Sequence, residues 1–387
     1  MIKKKIVIAH FGSVIAYPPV INLIDCLLAN SQSVVLISMN GNQLPVRILE
    51  NKNFKPINLR QYDTNNIFES IKQKLALKSI AKKSIIHEMK DADILWTTTD
   101  FTVRWLGDVV LKYNHVMQLM ELIKFYPMFP RLMKYLNLQF PIDKYARNAK
   151  RIVVPEVNRA YIQQVWWNLK LLPMVLPNKP YYLCLDENKL DSKFKKNLDK
   201  IKSEKRKVIL YSGVLWFDRD FDSIANSIGK LDDKYALYIM GNVPDAYKET
   251  FYDLLQQHPN IIYLGYFPAP QHLIFYKYAY IGLLPYRAGK ISCYNTHISE
   301  LNALYCAPNK IYEYAGVGLP MIGTDVLGLK IPFEQYNIGV CCSNLSGNKF
   351  IDAIRYIDNN YETMKKNCEA FYKDTDLNKI IMQILAD

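Results

Sequence analysis

A short stretch near the C-terminal end of the chain, residues 308–324, combines residue types that suit a phosphorylated ligand. Its sequence, PNKIYEYAGVGLPMIGT, predicts a loop, a short helix beginning near Asn309, a glycine turn and a buried strand. A helix start offers the unpaired backbone N–H groups of Asn309, Lys310 and Ile311 to a phosphate. The Lys310 side chain adds a cation. Glu313, one turn further, can accept hydrogen bonds from a ribose diol; the alternative is a solvated helix carboxylate.

The segments that must position these residues alternate between short apolar runs and longer helix-like stretches. The chain opens with KKKIVIAHFG at residues 3–12, and the pattern recurs as KRKVILYSG at residues 205–213. Shorter apolar runs follow each opening, at residues 33–39, 93–97, 114–120 and 151–155, and then at 236–240, 260–264, 280–285, 320–323 and 338–342. Such runs are typical of parallel strands covered by helices on both faces. The sequence therefore predicts two Rossmann-like domains in tandem.

The length of 387 residues also favours two domains, because it exceeds what one hydrophobic core usually covers. We place the boundary in a stretch punctuated by Pro173, Pro177 and Pro180. The predicted domains are residues 1–176 and residues 177–375. The final helix-like segment, residues 376–387, can pack on either of them.

Several classes of protein are disfavoured by what the sequence lacks. Neither opening strand is followed by G-x-G-x-x-G, which argues against a dinucleotide oxidoreductase. The seven cysteines are scattered without a C-x-x-C pair, which favours reduced thiols in the cytosol over disulfides or zinc. No apolar run approaches the ~18 residues of a membrane-spanning helix. The D-x-D at residues 218–220 can hold a divalent metal, but a helix start, where acidic residues favour the dipole, is the preferred interpretation.

The net charge of +13 is concentrated in the first half of the chain. Residues 1–170 carry 24 Lys and Arg against 12 Asp and Glu, and the remainder carries 25 against 24. Lysines interleave with apolar residues between 71 and 90, and basic residues mix with aromatic ones between 124 and 151. Both patterns favour an anionic membrane surface, the alternative being a solvated helix face and an ordinary loop. Nucleic acid is not expected, because no recognised nucleic-acid-binding motif is present.

The 308–324 string resembles a signature of the GT-B glycosyltransferases, in particular the retaining family 4 type, often written P-x-K-x-x-E-Y-x-A-x-G-x-P. Other segments resemble the same family: YSGVL at 211–215, NIIYLG at 260–265, AYIGLLPY at 279–286, YPPV at 17–20 and VVPEVNRA at 153–160. The last two are similar to bacterial polysaccharide-synthesis members. The resemblance implies an α/β protein of the GT-B fold, with two Rossmann-like doubly wound domains facing a central cleft.

The resemblance also implies a nucleotide-sugar substrate, carried by UDP or GDP and held mostly by the second domain. Glu313 would hold the ribose, and Lys310 with the backbone of residues 309–311 would neutralise the diphosphate. A second diphosphate cation follows the opening glycine turn at Gly213 in the family, and Arg219 is the best match. No metal cofactor is implied, because fixed cations and a helix terminus can stabilise the departing diphosphate.

One position departs from the family pattern. Many members carry another Glu eight residues before the ribose Glu, in contact with the transferred sugar, and this chain has Tyr305 there. Asn302 or Glu300 would then make the sugar contact. Arg287 and Lys290, in the preceding loop, either reach the phosphates or are surface charges.

In the first domain, Glu121 closes an apolar run that starts at Asn114. The carboxyl ends of parallel strands face the ligand crevice in doubly wound sheets. Glu121 is therefore the candidate for contacting the sugar or the acceptor hydroxyl, and the catalytic base if the reaction inverts configuration. His10 and Gly12, after the first strand, are further candidates for the cleft, whereas His115 is expected in the core.

Together these features predict a metal-independent, hexosyltransferase-like glycosyltransferase that acts with retention of configuration. The expected acceptor is a membrane-associated, lipid-linked bacterial surface glycan of the capsule or lipopolysaccharide kind. The expected location is cytoplasmic, peripheral on the inner face of the cell membrane. Two alternatives stay open. One is a non-hydrolysing sugar-nucleotide 2-epimerase, against which the basic first domain counts. The other is a non-catalytic basic protein that binds membrane or nucleic acid on a GT-B scaffold.

Overall fold

The computed structural model describes residues 3–60, 66–127, 139–215, 219, 221–231, 233–286 and 301–386. Within these residues the chain forms two compact units. The first comprises the chain up to Tyr181 together with Leu301, Asn302 and the C-terminal segment from Asp376. The second comprises the rest of the chain between Tyr182 and Thr375. The C-terminal segment therefore belongs to the first unit.

The first unit is built on a seven-stranded parallel sheet. Its first five strands are β1 (Lys5–Ser13), β2 (Ser33–Met39), β3 (Phe54–Asn58), β4 (Ile94–Thr98) and β5 (His115–Gln118). A separate antiparallel pair, β6 (Tyr126–Pro127) and β7 (Gln139–Phe140), precedes the last two, β8 (Arg151–Val154) and β9 (Met174–Val175). The strand order is β3-β2-β1-β4-β5-β8-β9, so the chain reverses direction across the sheet between β1 and β4. In such sheets ligands bind at this switch point.

Helices cover both faces of the first sheet. They are Pro18–Ala29, Val46–Leu49, Ile67–Glu88, Asp100–Leu106, Ile142–Arg147, Val157–Trp167 and Leu377–Leu385. Alternate residues of β1 enter different cores: Ile6 and Ile8 pack with the C-terminal helix, and Val7 and Ala9 pack with the helix Ile67–Glu88. A strand buried on both faces has no polar alternation, which is why these strands read as continuous apolar runs.

The second unit repeats the plan with a six-stranded parallel sheet. Its strands are β10 (Lys207–Ser212), β11 (Tyr235–Met240), β12 (Ile261–Gly265), β13 (Ile281–Leu284), β14 (Met321–Thr324) and β15 (Gly339–Cys342). The order is β12-β11-β10-β13-β14-β15, which puts the switch point between β10 and β13. The helices are Lys195–Lys202, Phe221–Ile228, Asp245–Gln257, Leu273–Tyr276, Asn309–Ala315, Leu327–Tyr336 and Gly347–Asp374; one further turn spans Leu301–Leu304.

The two parallel sheets confirm the predicted fold class, and the structure corrects some of its elements. The strand expected to carry Glu121 ends at Gln118. The N–H of Leu119 still bonds to the carbonyl of Val153 on β8, and Glu121 follows two residues later, outside the strand. Four strands were not predicted: β3 and β9 of the seven-stranded sheet, and the short antiparallel pair β6 and β7. Strand β3 lies at the sheet edge and contains Pro56, and β9 is only 2 residues long, so neither gives an apolar run.

Candidate active site

Two glycine turns meet at the carboxyl ends of β10 and β11. The N–H of Gly213 donates to the carbonyl of Met240, and Gly213 has a φ of +151°. A Cβ at Gly241, whose φ is +149°, would lie 1.6 Å from the carbonyl oxygen of Gly213. No larger residue fits at Gly241 without moving the backbone, so the two turns are held in contact beside the switch point.

The side chain of Lys310 lies over the Gly213 turn. Its Cε and Nζ lie 3.2 and 3.3 Å from the point that a Cβ on Gly213 would occupy. The helix Asn309–Ala315 that carries Lys310 starts directly after Pro308, and the backbone N–H groups of Asn309 and Ile311 belong to its first turn. Lys310 is half-buried. Burial lowers the pKa of Lys310, and the charge of Arg219 lowers it further. The carboxylate of Glu313 raises this pKa but does not outweigh the burial.

Arg219 is held on the same side of this turn. Its Nε donates to the hydroxyl of Tyr211 at 3.2 Å, and its Nη1 donates to the carbonyl of Pro285 at 3.2 Å. The guanidinium carbon lies 5.2 Å from the centre of the Tyr286 ring. The Tyr211 hydroxyl itself lies 3.0 Å from the Cβ point of Gly213. Two cations, Arg219 and Lys310, are therefore fixed around one glycine turn at the switch point of the sheet.

Glu313 is the buried carboxylate of this group, with 6% of its surface exposed. Its Oε2 accepts a hydrogen bond from the Tyr276 hydroxyl at 3.2 Å and lies 3.4 Å from Nε2 of His272. Burial by itself raises the pKa of Glu313, but His272, Lys310 and Tyr276 outweigh it and hold this pKa below its ordinary value. Both of these contacts use Oε2, and within the described part of the chain no hydrogen bond to Oε1 is found.

The neighbouring packing fixes the direction of this helix. A Cβ at Gly282 on β13 would lie 2.5 Å from the ring of Tyr314, which is fully buried. Tyr314 in turn contacts the ring of Tyr276 with centroids 4.8 Å apart. The residue next to Glu313 is thus locked against the sheet, and the Glu313 side chain has little freedom to turn away.

The first unit has its own polar cluster beyond the carboxyl end of β5. Oε2 of Glu121 accepts from the side-chain amide of Asn302 at 2.6 Å, and the Asn302 oxygen accepts from the N–H of Leu122 at 2.8 Å. Arg159, which is buried, donates to the carbonyls of Met120 and Asn302 at 2.9 Å each. The structure therefore places Asn302 with Glu121 in the first unit.

His10 and Gly12 lie at the end of β1, beside the switch point of the first sheet. His10 is fully buried and Gly12 has a φ of +148°. Nδ1 of His10 lies 2.7 Å from Oγ1 of Thr98, and its ring meets Tyr17 edge-on with centroids 4.6 Å apart. Burial lowers the pKa of His10 to about 4, so the imidazole is neutral at neutral pH.

The remaining predicted residues are less informative. Tyr305 lies in the second unit, in a segment whose backbone at residues 305 and 306 packs against Gly328. Arg287, Lys290, Glu300 and the acidic residues of the D-x-D motif lie outside the described residues. Three contributors were not predicted: His272 and Tyr276, which contact Glu313, and Tyr286, beneath Arg219. The i, i+4 spacing of His272 and Tyr276 was a usable signal for a shared helix face.

Solved structures resemble this chain along its whole length. Anabaena HepE in complex with UDP-glucose has a TM-score of 0.66 at 12% identity, covering 99% of this chain and 98% of that one. A glycosyltransferase from Rickettsia africae has a TM-score of 0.64 at 15% identity, covering 100% and 97%.

The chain has the GT-B fold. A Listeria monocytogenes protein assigned as a UDP-N-acetylglucosamine 2-epimerase shares it, with a TM-score of 0.60 at 13% identity and coverage of 100% and 96%. By sequence, no family model and no curated protein matches. The GT-B fold thus accommodates both transfer and epimerisation, and the activity must be argued from the residues.

Proposed function

We propose that the protein is a glycosyltransferase that uses a nucleoside-diphosphate sugar carried by UDP or GDP. The observation that carries this proposal is the pairing of Arg219 and Lys310 around the Gly213 turn, with the buried carboxylate of Glu313 one helical turn from Lys310. Two fixed cations near each other repel, and a bound diphosphate would remove that repulsion. HepE of the same fold was solved with UDP-glucose, which agrees with this assignment.

In the proposed reaction the second unit binds the donor. Lys310 and Arg219 neutralise the diphosphate, and Oε1 of Glu313 accepts hydrogen bonds from the ribose. As the bond from the anomeric carbon to the diphosphate breaks, the departing oxygen takes the electron pair. The two cations stabilise that charge without reorganisation, so the proposal needs no metal ion.

We further propose that the transfer retains configuration. The departing diphosphate then helps to deprotonate the acceptor hydroxyl on the same face of the sugar, and no side-chain nucleophile is needed. If the product instead has inverted configuration, Glu121 is the residue to take the proton, because it follows β5 at the ligand edge of the first sheet. The configuration of the isolated product separates these two routes.

The proposed acceptor is a lipid-linked bacterial surface glycan presented at the inner face of the cell membrane. No helix among the described residues is long and apolar enough to cross a bilayer. The helix Ile67–Glu88 offers a peripheral contact instead. Its first turns expose Phe68, Ile71 and Leu75, with Phe68 84% accessible, among exposed Lys72 and Lys74. Apolar side chains flanked by lysines suit an anionic lipid surface.

The donor site is tested by calorimetric titration of UDP and of GDP into the wild type and Glu313→Ala, without added metal. We expect one base to bind preferentially, and the substitution to weaken binding about tenfold or more, the scale of a lost charged hydrogen bond. Glu334→Ala, at an exposed carboxylate of the second unit, is the matched control and should leave binding unchanged. Equal binding by wild type and Glu313→Ala would refute the ribose assignment.

A sugar-nucleotide 2-epimerase is the second candidate, favoured by the GT-B neighbour from Listeria monocytogenes with that assignment. An epimerase acts on the donor alone, so it converts the free nucleotide sugar without an acceptor. Incubation of the protein with UDP-N-acetylglucosamine, followed by proton NMR of the anomeric region, distinguishes the two. A new 2-epimer signal would replace the transferase proposal, whereas an unchanged spectrum together with UDP binding would favour transfer.

A further inference from the structure

His272 lies directly before the short helix Leu273–Tyr276, with its ring against the carboxyl group of Glu313. Nε2 of His272 lies 3.4 Å from Oε2 of Glu313, and the two side chains are only 15% and 8% exposed. The hydroxyl of Tyr276 reaches the same oxygen at 3.2 Å. An ionised carboxylate has no proton to give, so both neighbours must donate to it, and Nε2 carries the hydrogen at this contact.

The two donors are themselves fixed by their packing. The rings of His272 and Tyr276 meet edge-on, with centroids 5.5 Å apart, and the ring of Tyr276 lies 4.8 Å from that of Tyr314. Tyr276 and Tyr314 are both fully buried. The N–H of Phe275 bonds to the carbonyl of His272 at 3.3 Å, which ties the backbone of His272 to the helix. The place of Oε2 is therefore set by side chains that have little freedom to move.

The other ionisable groups near Glu313 come from several elements of the second unit. Lys310 acts on it from its own helix, and its charge is felt by Tyr276, by Tyr314, by Tyr286 after β13 and by Tyr372 on the helix Gly347–Asp374. Burial raises the pKa of all four tyrosines, so they stay neutral in acid. Lys310 only gains protons as the pH falls. Among these described neighbours, His272 has the side chain of the type that becomes positively charged on mild acidification.

The charge of His272 opposes the effect of burial on Glu313. Burial by itself raises the pKa of Glu313, and the attraction of His272 is the largest of the effects that bring this pKa below its ordinary value. An opposite charge within about 4–6 Å favours the ionised form of a carboxyl group. Histidine supplies this charge in the same direction of pH change in which a carboxylate takes up its proton.

We propose that His272 is a positioning residue for the ribose of the donor, which keeps Glu313 ionised and its Oε2 turned to the protein in mild acid as well as at neutral pH. The other carboxylate oxygen then meets the ribose hydroxyls over this whole range. The inference rests on the proposed function for the identity of the ligand. Without the imidazole, acidification protonates Glu313, and a neutral carboxyl group is a weaker acceptor than a carboxylate.

The test compares the binding of UDP and 2′-deoxy-UDP, because only UDP offers a 2′-hydroxyl to Glu313. The two nucleotides ionise alike at the diphosphate, so the ratio of their dissociation constants isolates the ribose contact from titration of the phosphates. Calorimetry at pH 5 and pH 7.5 gives this ratio for the full-length wild type and for His272→Gln. Glutamine keeps an N–H donor but cannot become charged. GDP and 2′-deoxy-GDP are used instead if guanosine is the preferred base.

The matched control is His258→Gln, because His258 forms another histidine–carboxylate pair in the second unit, 2.7 Å from Asp222. The wild type and this control should prefer UDP about tenfold at both pH values. His272→Gln should keep the preference at pH 7.5 and lose about threefold or more of it at pH 5. His272→Asn, which also carries an uncharged amide, takes its place if His272→Gln does not fold.

Two results would overturn the inference while UDP binding remains intact. A preference that falls equally at both pH values would show that His272 only packs in the site. A preference that is unchanged at both values would show that His272 does not act on Glu313. In either case the donor site stands. If neither UDP nor GDP binds the wild type, the proposed function itself fails and the inference fails with it.

Discussion

At the scale of single residues, Glu313 and Asp100 are two buried carboxyl groups whose surroundings move their pKa values in opposite directions. Glu313 has His272, Lys310 and Tyr276 around it, and together they hold its pKa below the ordinary value in spite of burial. For Asp100 burial dominates, the nearby charge of Glu121 adds to it, and the pKa rises to about 6. The surroundings of Glu313 therefore favour its ionised form. Those of Asp100 make its ionised form less favourable than it is in water.

The raised pKa of Asp100 makes a prediction for stability. Between pH 4 and pH 6 the folded protein holds a proton that the unfolded chain has lost, so this group's contribution to the free energy of unfolding falls as the pH rises through that window. Asp100→Asn has no such proton. Between pH 5 and pH 7.5 the variant should gain about 1 kcal/mol relative to the wild type. Urea unfolding of the wild type and the variant at each pH measures the difference in their free energies of unfolding. If this difference does not change with pH, the raised pKa of Asp100 is contradicted.

At the scale of elements, the candidate donor site depends on how closely two strand ends approach. Strands β10 and β11 are paired in register from Lys207 with Tyr235 to Ser212 with Met240, and the chain then turns at Gly213 and Gly241. The absence of side chains at both turns lets the backbones touch and leaves room for the side chain of Lys310. The position of the Lys310 side chain thus depends on the packing of two backbone turns that are distant from it in the sequence.

Substitution of Gly241 by Ala should destabilise the second unit strongly. The new Cβ would lie 1.6 Å from the carbonyl oxygen of Gly213, so a strand end must move. We expect a loss of more than about 3 kcal/mol in the free energy of unfolding. Gly347→Ala is the control: its φ is +63° but nothing lies within 4 Å of the new Cβ, so about 1 kcal/mol is expected. Denaturant unfolding measures both, and similar losses would show that the turn contact is not tight.

At the scale of the whole molecule, the positive charge is concentrated in the first half of the chain. The excess of 12 Lys and Arg over Asp and Glu falls in residues 1–170, while the remainder of the chain is nearly neutral. The exposed apolar residues of the helix Ile67–Glu88 lie within the basic part. This combination underlies the proposal that the first unit meets an anionic bilayer.

Vesicle sedimentation tests that proposal. The wild type should bind vesicles that contain phosphatidylglycerol and bind neutral vesicles only weakly. Its affinity should fall as salt rises from about 50 to 500 mM, because salt screens the attraction between the lysines and the anionic lipids. Replacing Phe68, Ile71 and Leu75 by Ser should weaken binding about tenfold or more. Tyr356→Ser, at an exposed aromatic residue of the second unit, should have no effect. Binding that is unchanged in the triple variant would exclude this helix as the contact.

The sequence predicted most of the strands because a strand buried on both faces must be apolar throughout, and such runs are visible without tertiary information. It missed the edge strand with Pro56 and extended the run after Asn114 beyond its last paired residue, because edge pairing and the point of departure from a sheet depend on neighbours. The roles predicted for the site residues stay predictions, since no ligand has been tested on them.

What the sequence determined by itself is local. It placed Lys310 and Glu313 three residues apart on one helix, and that spacing puts them on the same face in any fold that keeps the helix. Only the tertiary structure brought Arg219 to Lys310, and Asp100 to Tyr17, because these neighbours come from segments joined by the order of strands in a sheet. Strand order depends on long-range pairing and not on the composition of any one segment.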